Sequence, residues 1–439
     1  MYMKKIYFLI ATVTAMMMAS CTIEQDDFFS DSSANRADNA IAADVQVLTS
    51  AANGWLMQYF PDSQQSYGGY NEIIRFKADG KAEILGEAYS DSIYTSLYSV
   101  TQSAGIVLTF DSYNPEFHAF SDPSAPIGGN DGTGWNGDFD FSILKCTAEE
   151  VVLKGKKTGN KIVMTPMPTS DWEAYLNGIR DVEDGMNAKK YGIHIGGEEI
   201  IAMRLNRTLI MDYEDNGEEY EVTASYIITP QGFKFYEPIT IKGETIEGFN
   251  YVEGADVFPA SNNANITLNV IYPTIAEMFV EGYWFVSLSS MGEFAAPYWS
   301  AVKEQIMPSL GEQLQYFAFG AAIPSWEASF GSYWGASFNS GGYAGVLGFS
   351  YQIMGDDEIA LGYNSKGNKS NGDWYVQNAY FHYFVVPFGC TTKAAQQVRV
   401  FKITADDLKE PSVIVLTDEN DPTNVITLYA SYISDPLNK

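Results

Sequence analysis

The stretch LYSVTQSAGIVLTF, residues 97–110, reads as a strand, a short turn and a second apolar strand. The same pattern returns in SYIITPQGFKFY (225–236) and in SYQIMGDDEIALGY (350–363). A second echo joins FSILKCTAEEVVLKG (141–155) to FKITADDLKEPSVIVL (401–416), through Thr147-Ala148-Glu149-Glu150 and Thr404-Ala405-Asp406-Asp407. Alternation with polar turns is common to all hairpins. The echoes, however, come in the same order near both ends of the chain, which points to a structural repeat. Abundant aromatics and glycines with sparse lysine and arginine favour sheet. The expected class is therefore mainly β: tandem antiparallel meander or barrel-like domains with a few amphipathic helices.

Two helices stand out from the period-two background. Residues 39–59 carry Ile41, Val45, Leu48, Ala52, Trp55, Leu56 and Tyr59 at three- and four-residue steps, which predicts one apolar helical face ended by Pro61. Ser170-Asp171-Trp172-Glu173 predicts a capped start for a helix over 171–187, with Trp172, Leu176, Ile179, Val182 and Met186 on one side. A third helix is expected near Pro297 to Ile306. These divide the chain into 36–167, a helix plus β-meander; 168–265, a helix plus a shorter meander; and 266–439, an aromatic-rich β domain.

The first 35 residues read differently. Lys4 and Lys5 precede an apolar run from Ile6 to Ala19, too short to span a bilayer, so 1–20 is expected to be a signal peptide. Met18-Ala19-Ser20-Cys21 resembles a bacterial lipobox, with Met18 where a branched aliphatic is usual. The resemblance implies cleavage before Cys21 and lipidation of its thiol; ordinary secretion with cleavage near Ala19-Ser20 is the other reading. Two or three acyl chains anchor where one holds only marginally. Residues 21–35 then form a lipidated acidic tether. Its Glu24-Gln25-Asp26-Asp27 resembles the acidic signal that sends Bacteroidota lipoproteins to the cell surface. The expected location is the outer membrane, lipid-anchored and exposed, with no other hold on the bilayer.

Charge limits the partners. The chain carries 26 basic and 55 acidic residues; cleavage removes Lys4 and Lys5 and no acid. Nucleic acid is excluded as a partner, because binding it requires the opposite sign. With Cys21 lipidated, Cys146 and Cys390 remain, far apart in sequence and expected to be buried free thiols, a disulfide between them being the other reading.

The lipobox start, NGWLMQYFP (53–61), GIVLTFDSYNPEFHAFSDP (105–123) and VVLKGKKTGNKIVMTP (151–166) are similar to a family of Bacteroidota surface lipoproteins. Members are often encoded beside SusC/SusD-like outer-membrane uptake pairs. The resemblance implies nutrient capture or complex assembly beside such a transporter, and it brings no catalytic residues with it.

The residues themselves carry no catalytic signature. His118, His194 and His382 form no HExxH pair, His382 falls in an expected strand, and no GxSxG elbow or P-loop occurs. No enzyme activity and no cofactor is assigned. GGNDGTGWNGDFD (128–140) offers Asp131, Asp138 and Asp140 as oxygen ligands for calcium, without the spacing of a calcium loop; a polar loop is the alternative. The aromatic signal is sharper. PSWEASFGSYWGASFNSGGYAGVLGFSYQ (324–352) sets Trp326, Tyr333, Trp334 and Tyr343 among small residues, and NGDWYVQNAYFHYF (371–384) adds Trp374. Such rings either fill a β core or stack on a glycan or peptide ligand. Three functions follow: non-catalytic capture of a nutrient, a structural accessory subunit with no ligand of its own, and a hydrolase.

Overall fold

A computed structural model describes residues 32–129 and 132–439; Cys21 and Asp131 lie outside them. Every pairing between its strands is antiparallel. The chain divides into two compact units, one ending at Ile271 and one running Tyr272–Lys439. Among the described residues no helix is long and apolar enough to cross a membrane.

The first meander begins with helix α1 (Ser33–Leu48). Strands β1 (Trp55–Tyr59), β2 (Tyr70–Phe76), β3 (Lys81–Gly86), β4 (Tyr94–Ser103), β5 (Gly105–Phe110), β6 (Asp140–Cys146), β7 (Val151–Gly155) and β8 (Lys161–Pro166) follow and close into a barrel. Short helix α2 (Pro115–His118) lies between β5 and β6. The helix expected over 39–59 therefore stops early. Thr49 caps it by donating to the Val45 carbonyl at 2.8 Å, and Gly54 takes φ +89°, a conformation open to glycine but rarely to other residues. Trp55, Met57 and Tyr59 then point into the barrel core, while Leu56 packs on the outside. Burial on both faces of β1 gives a strand with hardly any polar alternation, and that is what imitated a helix.

Outward-facing Leu56, Ile73 and Leu85 of β1–β3 share a core with α3 (Trp172–Gly185) and the second meander. Asp171 caps α3 by accepting from the Ala174 amide at 3.0 Å. The second meander comprises β9 (Lys190–Ile195), β10 (Glu198–Leu205), β11 (Thr208–Asp215), β12 (Glu218–Thr229), β13 (Gly232–Ile241), β14 (Glu244–Asn250), β15 (Val257–Pro259) and β16 (Thr267–Val270). Its last strand returns to pair with its first, β16 on β9. A single bridge, Phe249 to Ala260, joins β14 to the end of β15.

The second unit opens with α4 (Ile275–Glu281), held by a capping box between Thr274 and Glu277. Strands β17 (Tyr283–Phe285), β18 (Leu314–Ala321), β19 (Trp334–Ser340), β20 (Tyr343–Gly355), β21 (Glu358–Tyr363), β23 (Arg399–Ala405), β24 (Val413–Asp418) and β25 (Val425–Tyr429) form another closed ring. Two-residue β22 (Lys369–Ser370) hangs on β20 outside it. The ring closes through one pair, Phe285 with Tyr429. The helix expected near Pro297–Ile306 is present as a continuous helical run over 296–310, with a π-helical stretch at Val302–Ile306. Residues 372–379 and 381–389 are also helical, broken at Tyr380, so His382 sits in a helical turn and not in a strand.

The echoes acquire a meaning here. Residues 97–110, 225–236 and 350–363 lie on β4–β5, β12–β13 and β20–β21, the fourth and fifth strands of each meander. Residues 141–155 and 401–416 lie on β6–β7 and β23–β24, the sixth and seventh strands of the two closed rings. Each meander is preceded by a helix. The protein is one helix-plus-eight-strand plan used three times.

Candidate binding surface

Strand alternation in the second unit sends Trp284, Phe317 and Phe319 into the core, and Tyr283, Phe285 and Tyr316 outward. The outward rings form a row. Tyr283 and Phe285 lie 6.0 Å apart, Phe285 and Tyr316 6.2 Å, and Phe285 and Tyr432 5.3 Å. Tyr316 continues the row to Trp326 at 5.6 Å, and Trp326 to Phe330 at 5.4 Å. Trp326 and Phe330 come from the short helix α5 (Pro324–Phe330), which Pro324 starts and Gly331 ends at φ +70°. Tyr432 is 60% exposed and Tyr283 37%; Tyr316, Trp326 and Phe330 are half-buried. Burial raises the Tyr316 hydroxyl above its ordinary pKa, so it stays a neutral donor. The row therefore offers several ring faces edged by tyrosine hydroxyls, which suits an amphipathic ligand such as a sugar ring.

The five aromatics singled out from the sequence separate. Trp326 joins the row. Tyr333 is buried, its hydroxyl accepting from Ser337 at 3.0 Å and from the Ile323 amide at 3.2 Å. Trp334 donates to the Val280 carbonyl at 2.9 Å and packs between Phe319 and Tyr351. Tyr343 and Trp374 are exposed, by 57% and 51%, yet no ring contact links either to the row among the described residues. Tyr283, Phe285, Tyr316 and Tyr432 had no local signal. They are scattered along the chain and each looks like any strand aromatic.

Asp138 is buried, its carboxylate accepting from the Lys157 amide at 2.5 Å, the Thr158 amide at 3.1 Å and the Thr158 hydroxyl at 2.5 Å. Asp140 is two residues along on β6. Among the described residues no group of acidic, histidine or cysteine side chains is arranged to hold a metal. Cys146 and Cys390 are free, and burial pushes both thiols up to about 12. His118 stacks on Phe139, His194 pairs with Glu199 at 2.9 Å, and His382 lies 3.2 Å from the Thr392 carbonyl.

Two carboxylates inside the first barrel stand apart. Glu72 is fully buried, and neither of its oxygens has a hydrogen-bond partner among the described residues. A Cβ on Gly86 would fall 2.4 and 2.5 Å from those oxygens and 2.7 Å from Oε2 of Glu116, so both side chains converge on one glycine. Burial raises both acids, Glu116 to about 7, and their mutual repulsion raises Glu72 further.

No curated protein matches the sequence. Among solved structures, the chain is compared with DNA polymerase sliding clamps from Pseudomonas aeruginosa and Caulobacter crescentus. Each is 10% identical, with 90% and 91% of this chain and 98% of theirs covered. The TM-score is 0.10 in both cases, too low to carry any argument. One family does match, over residues 25–253, from ahead of α1 to beyond β14. That span is more than half of the chain, and the protein belongs to the family described as Domain of unknown function (DUF4302).

Proposed function

We propose that the protein is a non-catalytic, lipid-anchored surface module that captures a nutrient, glycan or peptide, for an outer-membrane transporter of the SusC/SusD type. One observation carries the reading: the row from Tyr283 to Phe330 sets five exposed or half-buried rings around buried Phe285 on the outside of a barrel whose core is already filled with others. Aromatic anchors of this kind tend to dominate an interface. The leader and Cys21 support the location, and the resemblance to Bacteroidota lipoproteins supports the transporter.

Binding is tested with the soluble chain from residue 22 against panels of glycans and peptides. Tyr432→Ala and Trp326→Ala are expected to weaken the bound ligand at least tenfold, while the exposed Tyr432 site changes stability by no more than about 0.5 kcal/mol. Failure of the whole panel, together with stable co-purification with the transporter, would replace capture by assembly. Turnover of any panel member, abolished by a single acid or histidine substitution, would make the protein a hydrolase. For the anchor, Cys21→Ala should release the protein from the membrane fraction or leave it unprocessed. Protease added to intact cells should digest the wild type.

A further inference from the structure

Pairing between β12 and β13 is confined to Tyr226–Thr229 against Gly232–Phe235. Both strands continue beyond it, but there β12 pairs only with β11 and β13 only with β14. The cause lies in β13. Its register on β14 breaks between Lys234 and Ile239, around Pro238, which has no N–H to give a ladder. Tyr236 is drawn away, its hydroxyl accepting from the Lys161 amide at 2.8 Å and its ring 4.7 Å from that of Phe60. A cleft of about 640 Å³ opens between the strands, lined by Thr223, Ser225, Pro238, Ile239, Gln65 and Leu205. That volume lies within the usual ligand range of about 300–1,000 Å³.

Two features say what fits it. From Glu218 to Ser225, β12 has a strand on one side only among the described residues. A bare row of backbone donors and acceptors pairs with an extended chain whatever its sequence. The side chains beside it supply selectivity. Leu205, 60% exposed, and Met203, 48% exposed, stand next to Ile210 on the outer face of the sheet. Further along that face the register sets Asp212 opposite Glu221 and Glu214 opposite Glu219. Like charges directly opposed weaken a strand pair. All four acids are exposed, and no ion pair reaches any of them among the described residues.

The geometry points to a strand-addition site on β12 that takes an extended, basic segment of another polypeptide. Apolar side chains of that segment lie over the cleft, and its lysines or arginines lie over the two acid pairs. This site belongs to the first compact unit and is independent of the aromatic row, which belongs to the second.

The probe is a labelled eight-residue peptide of alternating valine and lysine, titrated into the soluble chain from residue 22 at physiological salt, where screening removes loose charge attraction. Saturable binding is expected. N-methylation of alternate backbone amides should weaken it at least tenfold, because those amides form the ladder. The double variant Glu219→Lys/Glu221→Lys, at exposed positions, should also lose at least tenfold and gain affinity for the valine–glutamate peptide. Trp326→Ala should change nothing, which separates this site from the proposed capture surface. Absence of saturable binding overturns the proposal, as does binding that survives N-methylation. A dimer of the protein that the double variant abolishes would assign the edge to a second copy and overturn it equally.

Discussion

Among the described residues, Glu72 is the one carboxylate buried with both oxygens unpartnered. An ionised carboxylate with no partner in a barrel core costs several kcal/mol, so the group holds its proton instead. The sign of the pH dependence follows. Glu72 and Glu116 have raised pKa values in the folded state, against 4.5 when unfolded. The folded state therefore binds more protons between about 4.5 and 7, and stability falls as pH rises through that window. Glu72→Gln is expected to stabilise the first barrel by about 1–3 kcal/mol at pH 8, with little effect at pH 4, where both acids are already protonated. Denaturant unfolding at the two pH values checks it; an equal effect at both would mean packing, not charge. Arg207 is the opposite case. It is buried, bonds Glu87 and Glu183 at 2.9 Å each, and stacks 4.2 Å over Tyr70. Arg207→Ala should cost about 3–5 kcal/mol, because Glu87 is then left buried and unpaired. Neither residue could be singled out from sequence. A glutamate in a strand has an even chance of facing either way, and partners such as Glu87 and Arg207 are distant in the chain.

Elements were legible where one periodicity applied. The α3 helix has a single buried face and a polar one, and its sequence pattern reports both. Hairpins were legible too, because turns such as Asn216-Gly217 are local, with both residues at positive φ. Failure came at β1, where both faces are buried and the spacing of apolar residues becomes ambiguous. Gly54 is the residue that decides it. A side chain there would be strained by φ +89° and would meet the Ile74 carbonyl at 2.7 Å. Gly54→Ala should therefore destabilise by more than 1 kcal/mol, measured by thermal unfolding, whereas a helix extended to Tyr59 would be stabilised by the same change. The aromatic row was half legible for a related reason. Trp326 stands in a dense local cluster, but its partners are brought together only by strand pairing.

At the scale of the whole molecule, three repetitions of one plan give two kinds of core: the second meander shares its core with Leu56, Ile73 and Leu85 of the first barrel, whereas the second unit builds its own. The second unit has a closed ring and a continuous core of its own. Residues 272–439 expressed alone should fold and melt in one cooperative transition, checked by calorimetry; a broad, non-cooperative melt would show that the ring needs the rest of the chain. Closure also has a consequence in time. Neighbouring strands meet across short turns, but β8 must find β1 through Pro166 and Trp55, and β25 must find β17 through Phe285 and Tyr429 alone. Contacts between residues so far apart are slow to form. The amides of β25 should be the last in the second unit to gain protection when refolding is followed by pulsed hydrogen exchange. Until they do, the folding chain carries its aromatic strands in an unsealed state, and the interval before the ring shuts is when it is most prone to aggregate.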